Sequence, residues 1–498
     1  MSKPKQNTEK KASGFAKTTD FKWLGVGLVL FFLVGIVMPL PDSMLEKAKD
    51  IFGTDSNVDF ALKAYHIKIT IALLATCVVF FATEAIPMPA VALIIGLVQL
   101  FFGITAPKAI GGTYAHDAVW FIAGSLALGA TLVKYGLDKR VGMLVINLAG
   151  TKTRMIVIGI LLGTAIPTAF VGEHAVAAMY VPIAMALYTL TNKTTPAPKL
   201  GTLLMVTIAV GCMIGGPMSP TGGARNALMI GFLSNIGVDV SFGQWIAMGV
   251  FYTFVMSIVM SFLLPLLFKP EVDDLSGAVS DLKKDLDKHG PMTQKQWLVA
   301  FVMLMVVIGW IVDKSLTVQV LGFSLGLGGV AITGAVLYMI LGLTSWQDYE
   351  EKVSWGVIIL YAGCISLGSV FKATGASSWF ADQIINLVAP LGLNSGVGLV
   401  VLVGVIGATL TNLMSAGATV AVIGPVVLDM AQSSGTNPIL VGVGLAIATS
   451  MAYWLVIGTP ASSIGIKRFY SDGKFRMASS DNGISCNGHF LLGWSFGH

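Results

Sequence analysis

Three ionisable residues stand inside almost wholly apolar stretches: Glu173 and His174 within 155–190, and Arg225 within 200–234. Ionisable groups at bilayer depth are costly and by default mark function. A carboxylate beside a guanidinium can cancel charge, a fixed guanidinium can hold an anion, and a carboxylate or imidazole can carry a proton. All three sit where their stretch is interrupted. Pro167, Gly172 and Pro182 break the first, and GGPMSPTGGARN over 215–226 breaks the second. Two further interruptions lie downstream: TNLMSAGAT (411–419) within 397–430, and IGTPASS (457–463) within 438–466.

The elements that must position these residues are membrane helices. The chain has 498 residues, 55% of them hydrophobic and 11% charged. A soluble domain carries about a quarter charged residues, so a soluble globule of this size lacks the polar surface it would need. The net charge of +5 is small for nucleic-acid binding. Four cysteines, Cys77, Cys212, Cys364 and Cys486, have no paired spacing. They predict neither a disulfide nor a metal site. Apolar runs over 23–40, 66–84, 88–103, 118–136, 241–268, 296–313, 321–343 and 354–373 suit spanning helices of about 20 residues. The prediction is an all-α polytopic membrane protein.

The few charges are sorted. A tail over 1–22 holds six lysines, and Lys134, Lys139, Arg140, Lys152, Arg154, Lys193 and Lys199 fall between runs. With the N-terminus inside, these can all face the cytoplasm, as the positive-inside rule asks. The boundaries read as a tail (1–22), a first repeat (23–268), a polar cytoplasmic linker (269–295), a second repeat (296–470) and an atypical C-terminal tail (471–498). Gly124, Gly129 and Gly136 share their spacing with Gly363, Gly368 and Gly375, and Gly172 precedes Pro182 by the interval that separates Ser415 from Pro425. Ordered matches of this kind indicate duplication. Gly- and Pro-interrupted segments at corresponding places in two halves point to a transporter's binding site.

TEAIP (83–87), KYGLDKR (134–140), SWGVIILYAGCISLGSVFKATG and IGTPAS resemble, in consistent order over about 20–470, the divalent anion–sodium symporter family. The resemblance implies two inverted repeats with re-entrant hairpins and broken helices, a scaffold and a transport domain, homodimers, and elevator-type sodium-coupled uptake of sulfate or di- and tricarboxylates. It places the first hairpin tip at Gly172, Glu173 and His174 and the second at Ser415, Ala416 and Gly417, with Thr419 just beyond. The broken-helix loops fall at Thr221, Gly222, Arg225 and Asn226, and at Gly458, Thr459, Pro460 and Ser462.

Departures from the family are concentrated at these places. The family's Ser-Asn-Thr is Gly-Glu-His at the first tip, and only its serine survives at the second; the loops lack Pro-Pro-Asn and Pro-Asn. Backbone groups at helix ends can still hold an anion or a cation without those side chains. The expected substrate-binding set is therefore Gly172, Glu173, His174, Arg225, Asn226, Ser415, Ala416, Gly417, Thr419, Thr459 and Pro460. The expected ion-binding set is Thr221, Gly222, Gly458, Thr459 and Ser462. Arg225 is expected either to pair with Glu173 or to hold the anion, and in the second case it could stand in for a sodium and leave coupling to protons.

Other charged residues have plainer readings. Glu84 caps or pairs at a helix end, Lys134 and Lys372 snorkel, Asp429 is an interfacial charge, and His116-Asp117 forms a loop with an N-cap. No G-x-x-x-x-G-K-[ST] or H-E-x-x-H motif is present, which argues against ATP-driven transport and against an enzyme. After about Met477, Ser, Asn and Gly replace Val, Leu and Ile, and the apolar piece HFLLGWSF is too short to span; a last helix is expected to be missing. The expected function is secondary transport of a small anion across the cytoplasmic membrane. The coupling ion is sodium or a proton and no cofactor is needed; an exchanger, a proton-coupled permease and an anion channel are the alternatives.

Overall fold

A computed structural model of the chain describes residues 19–53, 58–137, 140, 149–280, 291–313 and 317–452; the side chains of His174 and Leu321 lie outside that description. Gly458, Thr459, Pro460, Ser462 and the tail over 471–498 also lie outside it, as do residues 1–18. The described chain is helical, and ten of its helices are long and apolar enough to cross a membrane, or eleven with one bent pair taken as a single span. It is an all-α polytopic membrane protein.

The first half runs α1 (Phe21–Phe32), α2 (Asp42–Phe52), α3 (Phe60–Thr83), α4 (Met88–Phe101), α5 (Pro107–Tyr114), α6 (Asp117–Lys134), α7 (Thr153–Val171), α8 (Glu173–Asn192), α9 (Pro198–Gly215), α10 (Ala224–Asn235) and α11 (Phe242–Leu267). The second runs α12 (Gln294–Val312), α13 (Gly326–Ile340), α14 (Trp346–Lys352), α15 (Trp355–Thr374), α16 (Ala376–Val388), α17 (Gly396–Leu413), α18 (Ala416–Ser433) and α19 (Pro438–Ala448). In order, α3 to α6 correspond to α12 to α15, the pair α7–α8 to α17–α18, and α9 to α19.

The two halves exchange partners: α4 packs on α15 and α13 packs on α6. At the crossings, a methyl added to Gly124 would lie 2.5 Å from Ala331 Cβ, and one added to Gly363 would lie 2.5 Å from Ala92 Cβ. Gly124 and Gly363, which share a place in the glycine spacing, thus let the paired helices of the two halves approach closely. Gly136 and Gly375 close the ends of α6 and α15 at φ +65° and +81°, the left-handed region that favours glycine. Asp117 reinforces the α6–α13 seam by accepting from the Gly328 N–H at 2.9 Å.

Where helices bury determines their place. A 19-residue or longer helix that faces lipid keeps apolar side chains exposed, as α11 does with Phe251, Phe254 and Phe262, and α12 with Trp297 and Phe301. By contrast α9 and α18 are largely buried and form the interior on which the interrupted segments converge.

Several expectations need correcting. Residues 42–52, between the first two apolar runs, form α2, which buries Met44 and Ala48 and ties itself to α16 through Lys47–Asp382 at 2.7 Å. The start of the 269–295 segment packs on the first half: Leu275 and Val279 are buried, the Leu275 N–H donates to Thr151 O at 2.9 Å, and Glu271 caps α9 at Lys199 N and Leu200 N. Lys134 does not snorkel; its Nζ is held by Leu343 O at 3.1 Å and Asp348 Oδ2 at 2.8 Å. Asp429 is buried, not interfacial, and accepts from the Ser377 and Ser378 hydroxyls at the start of α16. Glu84 closes α3 in the left-handed region at φ 49°, and His116 caps α6 by accepting from Ala118 N at 3.2 Å, as expected.

Candidate functional site

Gly172 is the single residue between α7 and α8, at φ +90° and ψ 152°. A side chain there would be strained, so glycine allows two long helices to meet with no loop. Glu173 consequently occupies the first position of α8, where the exposed N–H groups favour its negative charge. The second interruption is built differently. Residues 216–218 and 220–222 make two 3₁₀ turns between α9 and α10, and Pro217 and Pro220 keep the α-helix from continuing. Gly223 is extended, and Arg225 falls at the second position of α10.

These two helix starts meet. Arg225 Nη2 lies 2.7 Å from Glu173 Oε1, with side-chain exposures of 5% and 7%. The contact is at one point and is not an aligned hydrogen bond; Arg225 Nε is buried with no hydrogen-bond partner. The pair fits only because residue 216 has no side chain, since a methyl on Gly216 would overlap Arg225 Nη2 and come within 2.5 Å of Glu173 Oε1. A guanidinium at a helix N-terminus opposes the dipole. Two converging N-termini plus this cation make a strongly positive place, and Glu173 is the carboxylate that balances it.

The loop around the pair is bolted to α7. Thr221 Oγ1 donates to Ala169 O at 2.7 Å, and Ser219 Oγ donates to the same carbonyl. Asn226 Nδ2 donates to Gly216 O at 2.8 Å and Ser219 O at 2.7 Å, while its Oδ1 is buried without a partner. Gly222 lies against Gly216 O and Ala169 Cα. From the neighbouring span, the Trp245 indole donates to Pro217 O at 3.0 Å. Gly172, Glu173, Thr221, Gly222, Arg225 and Asn226 therefore form one cluster.

Ser415, Ala416, Gly417 and Thr419 form the other hairpin tip. Ser415 is the N-cap of α18, its hydroxyl accepting from Ala418 N at 3.3 Å, and Thr419 Oγ1 donates back to Ser415 O at 3.2 Å. Two residues outside the expected set hold this tip to the end of α19: Thr411 Oγ1 donates to Thr449 O at 2.9 Å, and Asn412 Nδ2 donates to Met451 O at 3.4 Å.

Tyr361 of α15 joins the tips. Its ring and hydroxyl lie directly over Gly417, and it stands near both Glu173 and Arg225. Sequence reading missed Tyr361. A signal existed: by the glycine register it stands where the first repeat has Ile122, so a hydroxyl replaces an aliphatic side chain at an otherwise matching position.

Residues 61–478 match the family profile of the sodium:sulfate symporter transmembrane region. The chain belongs to that symporter family. Similar curated members are the sodium-dependent dicarboxylate transporters SdcS of Staphylococcus aureus strains USA300 and MRSA252. Each is 25% identical over 406 residues, covering 77% of this chain and 77% of the relative. Among solved structures, Neisseria gonorrhoeae MtrF, reported with a class of antimetabolite efflux pumps, aligns with a TM-score of 0.53 at 13% identity. The alignment covers 78% of this chain and 79% of that one; this is a likeness of fold. In this member the first tip carries the buried Glu173–Arg225 ion pair.

Proposed function

We propose that the chain is a secondary active transporter of small dicarboxylates, tricarboxylates or sulfate across the cytoplasmic membrane. Family membership and the sodium-dependent dicarboxylate transport named for the SdcS relatives support sodium-coupled uptake of a dicarboxylate. The observation that carries the reading is the buried Arg225 guanidinium at 2.7 Å from Glu173, set at two helix N-termini with one nitrogen unpartnered. Such a cation inside an apolar body can hold a doubly charged anion without a bound metal.

In this reading Arg225, Asn226 and the Gly172–His174 tip take one end of the anion. Ser415, Ala416, Gly417, Thr419 and the Tyr361 hydroxyl take the other, with Thr459 and Pro460 completing the site. Sodium is cargo, held by oxygens of Thr221 and Gly222 in the first half and by Gly458, Thr459 and Ser462 in the second. The two repeats, divided at the 269–295 linker, supply a scaffold and a moving transport domain in an elevator-type homodimer with its N-terminus in the cytoplasm.

The test is uptake of radiolabelled succinate and sulfate into proteoliposomes, with sodium and pH gradients imposed separately. Saturable uptake with counterflow is expected, and Arg225→Ala should remove at least about 90% of it. A protein that carries neither anion, or an Arg225→Ala variant with normal rate and affinity, overturns the reading. Linear, unsaturable flux without counterflow would identify a channel.

A further inference from the structure

Glu173 is more than a neutralising neighbour. It meets Arg225 at one point, through Oε1 and Nη2, whereas a guanidinium is shaped to hold a carboxylate through two parallel N–H donors. The Nε edge of Arg225 is buried and unpartnered, as is Asn226 Oδ1 one residue on. An arriving carboxylate thus finds an open donor edge on a cation already balanced by one carboxylate. Two carboxylates on one buried guanidinium leave a net negative charge away from water, and the carboxylate with the poorer geometry then takes a proton.

We infer that Glu173 is a built-in surrogate for the transported anion: it balances Arg225 in the empty carrier and, on taking and keeping a proton from solution, gives up Arg225 to the substrate's carboxylate. This rests on the reading of the chain as an anion carrier, and it assigns a coupled proton and a net-transport role to a residue that the family's usual tip motif does not contain.

The balance is simple. One proton and one anion enter the site together from one side, Glu173 becomes neutral, and Arg225 pairs with the substrate. On the other side the anion leaves, Glu173 releases its proton to that side, and the Glu173–Arg225 pair re-forms. The groups facing Glu173 from its neighbours are Arg225 on α10, Cys212 on α9 and Tyr361 on α15; His174 follows it in the chain. Cys212 and Tyr361 offer a thiol and a phenol, so Arg225 is the one cation among these groups.

A second consequence concerns the return step. An uncompensated guanidinium cannot cross the apolar interior without an anion. With Glu173 present the empty carrier is neutral at this place and can return; without it, only the loaded carrier can. The residue therefore separates net uptake from obligatory exchange.

The experiment uses the full chain in proteoliposomes with equal sodium on both sides and succinate or sulfate as probe. For the wild type, net uptake should quicken with an inward proton gradient, and a lumenal pH dye should report about one proton per anion. Glu173→Gln should lower the ratio of net uptake to anion-for-anion exchange at least about tenfold, and its net uptake should lose its pH dependence. Wild-type exchange with net uptake indifferent to the proton gradient overturns this inference and leaves the transport reading standing; absence of any anion flux overturns both. A Glu173→Gln variant whose net uptake matches its exchange also overturns it. Should that variant fail to fold, the wild type alone decides: in lightly buffered detergent, adding succinate or sulfate should draw about one proton per bound anion from solution, and binding without proton uptake rejects the proposal.

Discussion

The hydroxyl of Tyr361 lies directly over the α-carbon side of Gly417, so one residue of α15 closes the tip of the α17–α18 hairpin. A methyl at position 417 would overlap that hydroxyl and lie 2.9 Å from the ring carbon bearing it. Gly417→Ala is expected to displace the tip and cut uptake by roughly tenfold or more. Tyr361→Phe, which keeps the ring and removes only the oxygen, should raise KM about three- to tenfold with little loss of stability. The double variant should recover part of the Gly417→Ala loss. Uptake kinetics on all three, with thermal unfolding in detergent as the stability check, decide it.

Gly216 makes the same argument at the first tip. Because a Cβ there meets both members of the ion pair, Gly216→Ala should push Arg225 away from Glu173 and destabilise the fold. Removing one partner of a buried pair costs about 3–5 kcal/mol, so Arg225→Ala should unfold at markedly lower temperature than wild type. Glu173→Gln/Arg225→Gln, which leaves no uncompensated charge, should be more stable than Arg225→Ala. Equal melting temperatures for these two would deny the pair its structural part.

The helix crossings offer a matched pair of tests. Gly124→Ala and Gly363→Ala each force a methyl against an alanine of the opposite repeat, and overpacking of this kind costs typically 1–3 kcal/mol. Similar losses are expected for both, because the crossings are equivalents. Gly404→Ala, where an added methyl meets nothing within 4 Å, is the control and should be neutral or slightly stabilising. A large loss at Gly404, or none at Gly124 and Gly363, contradicts the packing described.

Asp348, outside the spans on α14, supplies a pH test. Hydrogen bonds from Lys134 and Lys352, then from Ser345, hold its carboxyl well below the usual carboxylate range. A depressed carboxyl adds stability that is present above its unfolded pKa of about 4 and is lost as pH falls through the folded value. Asp348→Asn should therefore melt lower than wild type at pH 7, and the gap should narrow as the pH drops below about 4. A gap that widens on acidification would reverse the assignment.

Much of the fold was legible because its signals are local. Long apolar runs announced the spans, and α11 and α12 begin and end within two residues of the expected bounds. Glycine spacing announced the duplication, and its physical cause is now visible: Gly124 and Gly363 are crossings, Gly136 and Gly375 are helix ends. The first site was half-legible, since Glu173 and Arg225 stood out as charges in apolar surroundings. That they touch was not, because a contact across 52 positions leaves no periodic trace. Tyr361 was missed for a related reason: an aromatic inside an apolar helix reads as packing until Gly417 is seen beneath it. Asp429 and the tucked residues 271–279 looked like surface because polarity alone does not show which neighbours, here Ser377 and Ser378, will satisfy a buried group.

The twin donation of Ser219 and Thr221 to Ala169 O has a mechanical consequence. It rivets a carbonyl of α7 to a loop fifty residues further on, and Asn226 stitches that loop to itself. The hairpin arm and the unwound turn cannot slide past one another without breaking buried hydrogen bonds, so this half of the site holds together as a single casting. On the transport reading proposed above, access is then controlled by carrying the casting from one side to the other, and not by opening a flap within it.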